Sequence, residues 1–322
     1  HVIGLGSSST LTTGPLGTGP ITFTSFGGAL KAVGGAQTIT NSIATTSTTT
    51  TNFALVGTND LTLNGTLTYS TLTSAFNMNV SNMGLTTIGG AITGTQAINK
   101  NGPGALVFGS ATGNSIGGLT TINAGELRVN NTSGNGVGIV TVNDGAILGG
   151  SGTVGGALTV NAGGIVRPGA TFIGTETLTV SGSSAATFAT GSFLSINVSD
   201  TAAGRLAMTD GLLTFAGLTT IYLANTGLHP GTYSYQFVNG GTTPIAFNGG
   251  AFNASDFAVV HSFGTIGEPV ISQVGNTLFV DFTVVIPEPG TMVIGLFGLA
   301  ACARSFIRRR RSMARGCGGQ GS

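Results

Sequence analysis

The side chains that could do chemistry in this chain are few and scattered. Its three histidines are His1, His229 and His261, and none stands in the H-x-H or H-E-x-x-H spacing that brings two imidazoles to one metal. His229 precedes Pro230-Gly231 and reads as a turn residue, while His261, within "FAVVHSF", falls on the polar face of a strand. No two of the nine acidic residues before Glu288 lie within five positions of each other, and Asp144-Gly145 and Asp210-Gly211 are turn dipeptides. Glu126 and Asp144, 18 residues apart, would converge only if 18 residues made one turn of a coiled architecture. With Arg128 or Arg167 beside them in a groove, that pair would suit a lyase or hydrolase acting on polysaccharide. A turn role accounts for Asp144 without it. "GLGSSSTLTTGPLGTG" lacks the Gly-Lys-Ser/Thr ending of a phosphate loop, and "GGSGTVGG" has the glycines of a calcium nonapeptide without its Asp. Both cysteines, Cys302 and Cys317, lie near the C-terminus, so the rest of the chain has no thiol for a disulfide or a metal. The expectation is a non-enzyme with no catalytic residues, no metal and no cofactor.

Charge is equally sparse. Of 322 residues, 56 are Gly and 7% are charged, yet 40% are hydrophobic, a balance unlike that of a disordered chain. Six of the eleven basic residues are Arg304, Arg308, Arg309, Arg310, Arg311 and Arg315. What precedes Glu288 has five basic and nine acidic side chains, hence a net charge of −4. That is poor material for holding phosphate backbones, so nucleic acid is excluded as a partner.

The elements that must position these residues are strands. β-Branched runs are punctuated by Gly, Asn and Asp, and helix-forming runs are missing before residue 285. "LTTINAGELRV", "IVTVNDGAIL", "ALTVNAGGIV" and "TLTVSGSSAA" align, with Ile122, Val142, Val160 and Val180 at separations of 20, 18 and 20; "DLTLNGTL" places Leu63 in the same frame. Each unit alternates, so Leu158 and Val160 share one face and Thr159 takes the other. A repeat near twenty residues fits one coil of a β-solenoid, which buries a continuous inner column and can stack identical Asn or Thr into ladders. A β-sandwich with Gly-rich turns has no need of a fixed period. "TTSTTTT", Thr45 to Thr51, is a turn or one flat Thr-rich face. Phe and Tyr number seven before residue 188 and thirteen from Phe188 to Phe282. Residues 1–187 are therefore read as solenoid repeats and 188–284 as aromatic-rich terminal coils or a β cap that covers the open edge.

Residues 285–322 are of another kind. Pro287-Glu288-Pro289 cannot continue a strand, because proline has no ladder donor. Residues 291–307 carry Arg304 as their only charge. As a helix they would span about 26 Å, just enough for a bilayer, with Arg308, Arg309, Arg310 and Arg311 holding the following end in the cytoplasm. The chain opens at His1 in mid-pattern, so a fragment or processed product is expected, with an export signal upstream.

Two resemblances follow from these residues. "INKNGPGALVFGSATGNSIGGLTTINAGELRVNN", residues 98–131, resembles the autotransporter-associated β-strand repeat. Lys100, Gly102, Gly104, Leu106 and Gly109 match its first strand, and Gly117-Gly118, Thr120 through Gly125, Leu127 and Val129 match its second. Ser115-Ile116 stands where that repeat usually has Tyr-Thr. The Pro-Glu-Pro motif, single helix and basic cluster resemble the PEP-CTERM sorting signal, although Ser312 to Ser322 extends past the usual end. Together they imply an all-β chain: a right-handed parallel β-solenoid (β-helix) with an aromatic-rich C-terminal β cap, then one C-terminal transmembrane helix. The implied partners are an exosortase that recognises and cleaves near Pro287, Glu288 and Pro289, the inner membrane before cleavage, and exopolysaccharide or cell-surface matrix. The implied role is a structural or adhesive protein of the bacterial surface or extracellular matrix. The alternative is a β-helix that binds or degrades polysaccharide. An autotransporter passenger would instead lead into a C-terminal β-barrel, and this chain ends in arginines.

Overall fold

The computed structural model describes residues 2–5, 17, 19–23, 28–45, 51–69, 72–225, 227–262 and 267–285. These form an all-β parallel solenoid of the right-handed type. One coil runs through Thr120–Ile122 on the first face and Glu126–Val129 on the second. It crosses the third near Val137 and re-enters the first at Val140–Val142. Among the described residues the first face has eleven strands, Val2–Leu5 to Ala246–Phe247, and the second has ten, Gln37–Ile39 to Phe257–His261. The third begins as five strands ending at Ser115–Ile116 and passes through a Val137–Val154 bridge. It continues as Thr153–Val154, Thr177–Val180, Arg205–Met208 and Gly231–Asn239.

Alternation explains what points where. In Leu158–Val160 the outer two residues are buried and Thr159 is exposed. Every coil repeats this, so the lumen is a stack of apolar columns. One column reads Phe53, Met78, Lys100, Ile122, Val142, Val160, Phe188, Phe215 and Phe247, each paired in register with the next. The expected frame is thus right for Ile122, Val142 and Val160 and shifts at both ends. Val180 lies on the third face, paired with Val154 and Met208, and Leu63 lies on the second, paired with Ile39 and Ile88. The cause is coil length: successive partners Ile98, Thr120, Val140, Leu158, Ala186 and Leu213 advance by 22, 20, 18, 28 and 27 residues. The 28-residue coil carries an extra excursion at residues 169–176, so a 20-residue step from Val160 lands on the wrong face.

The turns between first and second faces are closed by side chains. Asn101 donates to Asn79 Oδ1 at 3.1 Å, Asn123 to Asn101 at 2.8 Å, Asn143 to Asn123 at 2.7 Å and Asn161 to Asn143 at 2.8 Å. This is a one-directional carboxamide ladder, and it ends where Ala189 occupies the next rung. Beside it, Thr121, Thr141, Thr159, Thr187 and Thr214 form an outward column on the first face. Lys100 is the one charged member of the lumen column. Its stem is fully buried, and Nζ turns to the carbonyls of Gly102 at 2.9 Å and Ala124 at 2.8 Å. Burial pushes its ammonium pKa down to about 8, which the charge of Glu126 only partly opposes. The same turn needs Gly102, whose φ is +80° and where a Cβ would meet Val80 O at 2.4 Å.

The C-terminal end of the third face reverses direction. Thr277–Val284 pairs antiparallel with Gly231–Asn239 on one edge and with Val270–Val274 on the other. Among the described residues no helix is long and apolar enough to cross a membrane. Residues 291–307 lie outside the described residues, as do Pro287, Glu288, Pro289, Arg308, Arg309, Arg310, Arg311 and both cysteines.

Candidate functional site

Two of the three arginines among the described residues meet on the outer side of the second face. Leu127, Leu148 and Val166 point into the lumen, so their neighbours Glu126, Arg128, Gly149, Ile165 and Arg167 point out. The register runs Arg128, Gly149, Arg167, which sets the arginines two coils apart in one column. Gly149 leaves room between them. A Cβ there would stand 3.0 Å from Glu126 Oε1 and 3.5 Å from Arg128 Cγ. Through that gap Arg167 Nη2 donates to Glu126 Oε1 at 2.6 Å, while Arg128 Nη2 donates to Oε2 at 2.9 Å. Burial raises the Glu126 carboxyl pKa, but the hydrogen bond from Arg128 and the charge and hydrogen bond of Arg167 outweigh it, and the net shift is downward.

From Arg167 an outer groove of about 330 Å³ runs toward the C-terminal coils, floored by Ile147, Ile165 and Phe193 and flanked by Ser195, Tyr222 and Val260. These are the outward residues of successive strands, brought into line by parallel register. The excursion at residues 169–176 stands beside the groove's charged end. A Gly150–Gly169 bridge anchors its base. Asn130 Nδ2 donates to Ala170 O at 2.8 Å, and Asn197 Nδ2 donates to Phe172 O at 3.0 Å and Gly174 O at 2.9 Å. Phe172 sets its ring 4.3 Å from Arg167 Cζ, a cation–π contact, yet remains 62% exposed.

This arrangement suits recognition better than proton transfer. Glu126 is held ionised with both oxygens engaged, the reverse of what a proton donor at neutral pH requires. Asp144 is exposed in the turn after Asn143, as its Asp-Gly dipeptide leads one to expect, and packs on Gly163 of the next coil. Structure therefore unites Glu126, Arg128 and Arg167 and leaves Asp144 out. His229 is exposed, as a turn residue should be, but it is not merely solvated. Its backbone N–H donates to Asp200 Oδ1 at 2.8 Å, its Nδ1 contacts Oδ2, and Tyr233 Oη lies 2.8 Å from Oδ1. These contacts, the backbone one first, lower the Asp200 pKa. Tyr235 Oη donates to Ser199 O, and Tyr233, Tyr235 and Phe282 pack ring to ring. This cluster ties the loop at residue 200 to the reversed strands. His261 lies at the end of Phe257–His261 and is exposed. Among the described residues no group of three or more His, Cys, Asp or Glu side chains is arranged to hold a metal.

Phe193, Ser195 and Tyr222 were invisible as site residues in the sequence. Their only signal is an outward position in a strand, and it joins them to Arg167 only when the 28- and 27-residue coils are known.

No family model matches the chain. A 95-residue segment is 40% identical to the adhesin BmaC autotransporter of Brucella suis biovar 1 (strain 1330). The match covers 28% of this chain and 3% of that protein. The chain thus spans only a small part of that adhesin's length, and the parallel β-solenoid described above is the fold in which the matching segment stands here.

Proposed function

We propose that the chain is an exported bacterial surface or extracellular-matrix protein, structural or adhesive in role and delivered by its C-terminal segment. The observation that carries the adhesive part is the similarity to an autotransporter adhesin within a chain that folds as a parallel β-solenoid. The fold suits that role: stacking satisfies the backbone internally and leaves long, sparsely charged outer faces for contact. Delivery rests on the sequence alone. Pro287-Glu288-Pro289 is the recognition mark for an exosortase, residues 291–307 are a temporary inner-membrane anchor, and Arg308 to Arg311 fix its orientation. After cleavage the body remains at the cell surface or outside the cell, in contact with matrix polysaccharide. It has no catalytic role.

Each part has its own test. Co-expression with an exosortase should shorten the mature C-terminus to the region of Pro287–Pro289 by intact mass, and Glu288→Ala should reduce that processing. A mature mass that still includes residues 291–307 would sink the sorting claim. Cells displaying the chain should attach to matrix-coated surfaces more than cells without it, and equal attachment would sink the adhesive claim.

A further inference from the structure

The groove that starts at Arg167 asks for a ligand of a particular kind. A chain whose residues before Glu288 carry only five basic side chains places two of them here around one carboxylate, leaving a net charge of +1. One ion pair would have sufficed to neutralise Glu126, and a surplus buried charge is costly unless something else meets it. Each guanidinium has five N–H donors and uses one on Glu126. The Nε–H groups of both are enclosed and meet no acceptor among the described residues. Arg167 is only 8% exposed, and it forms the charged end of the groove. Beyond it the lining is uncharged, with Phe193 and Tyr222 rings and the Ser195 hydroxyl. From Arg167 to Val260 the groove crosses three coil steps, about 14 Å at about 4.8 Å per strand.

We propose that this groove binds an acidic polysaccharide, with a uronate carboxylate held at Arg167 and pyranose rings laid on Phe193 and Tyr222. Charge complementarity selects the carboxylate. The aromatic and aliphatic floor matches the C–H face of a sugar ring, and Ser195 and Tyr222 hydroxyls face the polar edge. The coil spacing is close to the repeat of a linear hexose chain, so successive rings meet successive coils. Phe172, pinned by Asn197 and stacked on Arg167, walls the charged end. This names the chemistry of the matrix partner in the adhesive reading and rests on that reading only for its place outside the cell.

Titration calorimetry of the full chain with short oligogalacturonates, against neutral oligogalactosides of the same length, tests the site. Uronate binding should weaken as salt is added, and Arg167→Met should weaken it about tenfold or more, as loss of a charge-assisted bond does. Tyr222→Ala, at a 36% exposed position where folding is not at stake, should weaken it several-fold, about what an aromatic contact is worth. Equal affinity for the neutral sugar, no heat with the uronate, or unchanged affinity in Tyr222→Ala would overturn the proposal, as would capture of an apolar peptide in place of sugar. Should Arg167→Met fail to fold, Arg167→Lys, which keeps the charge but loses the planar fork, serves instead, and unchanged affinity there and in Tyr222→Ala counts against the site. Cell attachment separates the two readings. Attachment without uronate binding removes the site and leaves the adhesive role; uronate binding without attachment does the opposite.

Discussion

The coils at residues 98–168 and those at residues 186–261 have the same three-faced plan and are held together differently. In the first set a coil takes 18 to 22 residues, and the lumen column is Ile122, Val142 and Val160. In the second it takes 27 or more, and the same column becomes Phe188, Phe215 and Phe247. The second-face strands are also longer, as in Phe193–Val198 and Thr219–Asn225, and aromatic rings occupy the lumen column beside them. Phe215 accordingly packs 5.1 Å from Phe188 and 5.0 Å from Phe257 between ring centroids. The narrow coils close their corners with the asparagine ladder; the wide coils have Ala189 and Ala216 at those rungs. Side-chain size in the lumen and hydrogen bonding at the corner are alternative ways of fixing a coil.

That contrast breaks most visibly at Phe215. Phe215→Ala should cost about 3–5 kcal/mol, and hydrogen exchange should show the loss concentrated in residues 186–261, with residues 98–168 little changed. Uniform loss across both sets would mean that the coils are not separately fixed.

The next effect belongs to the narrow coils, which hold the lumen lysine. Unfolded Lys100 titrates near 10.4, while burial brings the folded group down to about 8. Between these pH values the unfolded chain holds the proton and the folded chain does not, so stability rises with pH, on the order of 3 kcal/mol across the window. Above about 10 the buried Tyr235, pushed up to about 12, acts in the opposite sense, since the unfolded phenol ionises first. The urea midpoint should climb from pH 8 to 10, and Lys100→Met should flatten the climb. A flat wild-type curve is incompatible with this account.

Exchanging the fillers sharpens the comparison further. Val142→Phe forces a wide-coil residue into a narrow lumen and should cost about 1–3 kcal/mol; a neutral result in denaturant melts would show spare room there. The smallest change is at the ladder. Asn143→Ala removes one donated and one accepted hydrogen bond, about 1–2 kcal/mol together. The same substitution of Asn197 should leave the coil intact and free the excursion bearing Phe172, detectable as faster proteolysis within residues 169–176.

Much of the fold was legible because alternation and the Asn-Ala-Gly corner are local. Thr159 outside, Val160 inside and a ladder at the Asn positions follow from the residues themselves. The frame slipped at Val180 because the excursion at residues 169–176, held by Asn130 and Asn197 from other coils, lengthens that coil, and no local pattern records such an insertion. Lys100 sits in a recognised motif, yet its burial was not foreseeable, since lysine is seldom fully buried without partners; here the carbonyls of a glycine turn supply them. Glu126 and its arginines stood among the candidates, but Asp144 did not join them. Coil spacing brought it only to the corner, while the register through Gly149 set Arg128 and Arg167 in one outward column within reach of Glu126.

The reversed strand Thr277–Val284 has a mechanical consequence. It is the last described strand before residue 285, and it is hydrogen-bonded along both edges. Tension applied through the C-terminal end enters along this strand's own length. Its bonds to Gly231–Asn239 and Val270–Val274 then carry the load together, in shear, instead of parting one at a time. The stacked coils, whose hydrogen bonds run from coil to coil along the solenoid, stay behind that clamp. A protein held by this end would resist being peeled from its attachment until the clamp itself slides.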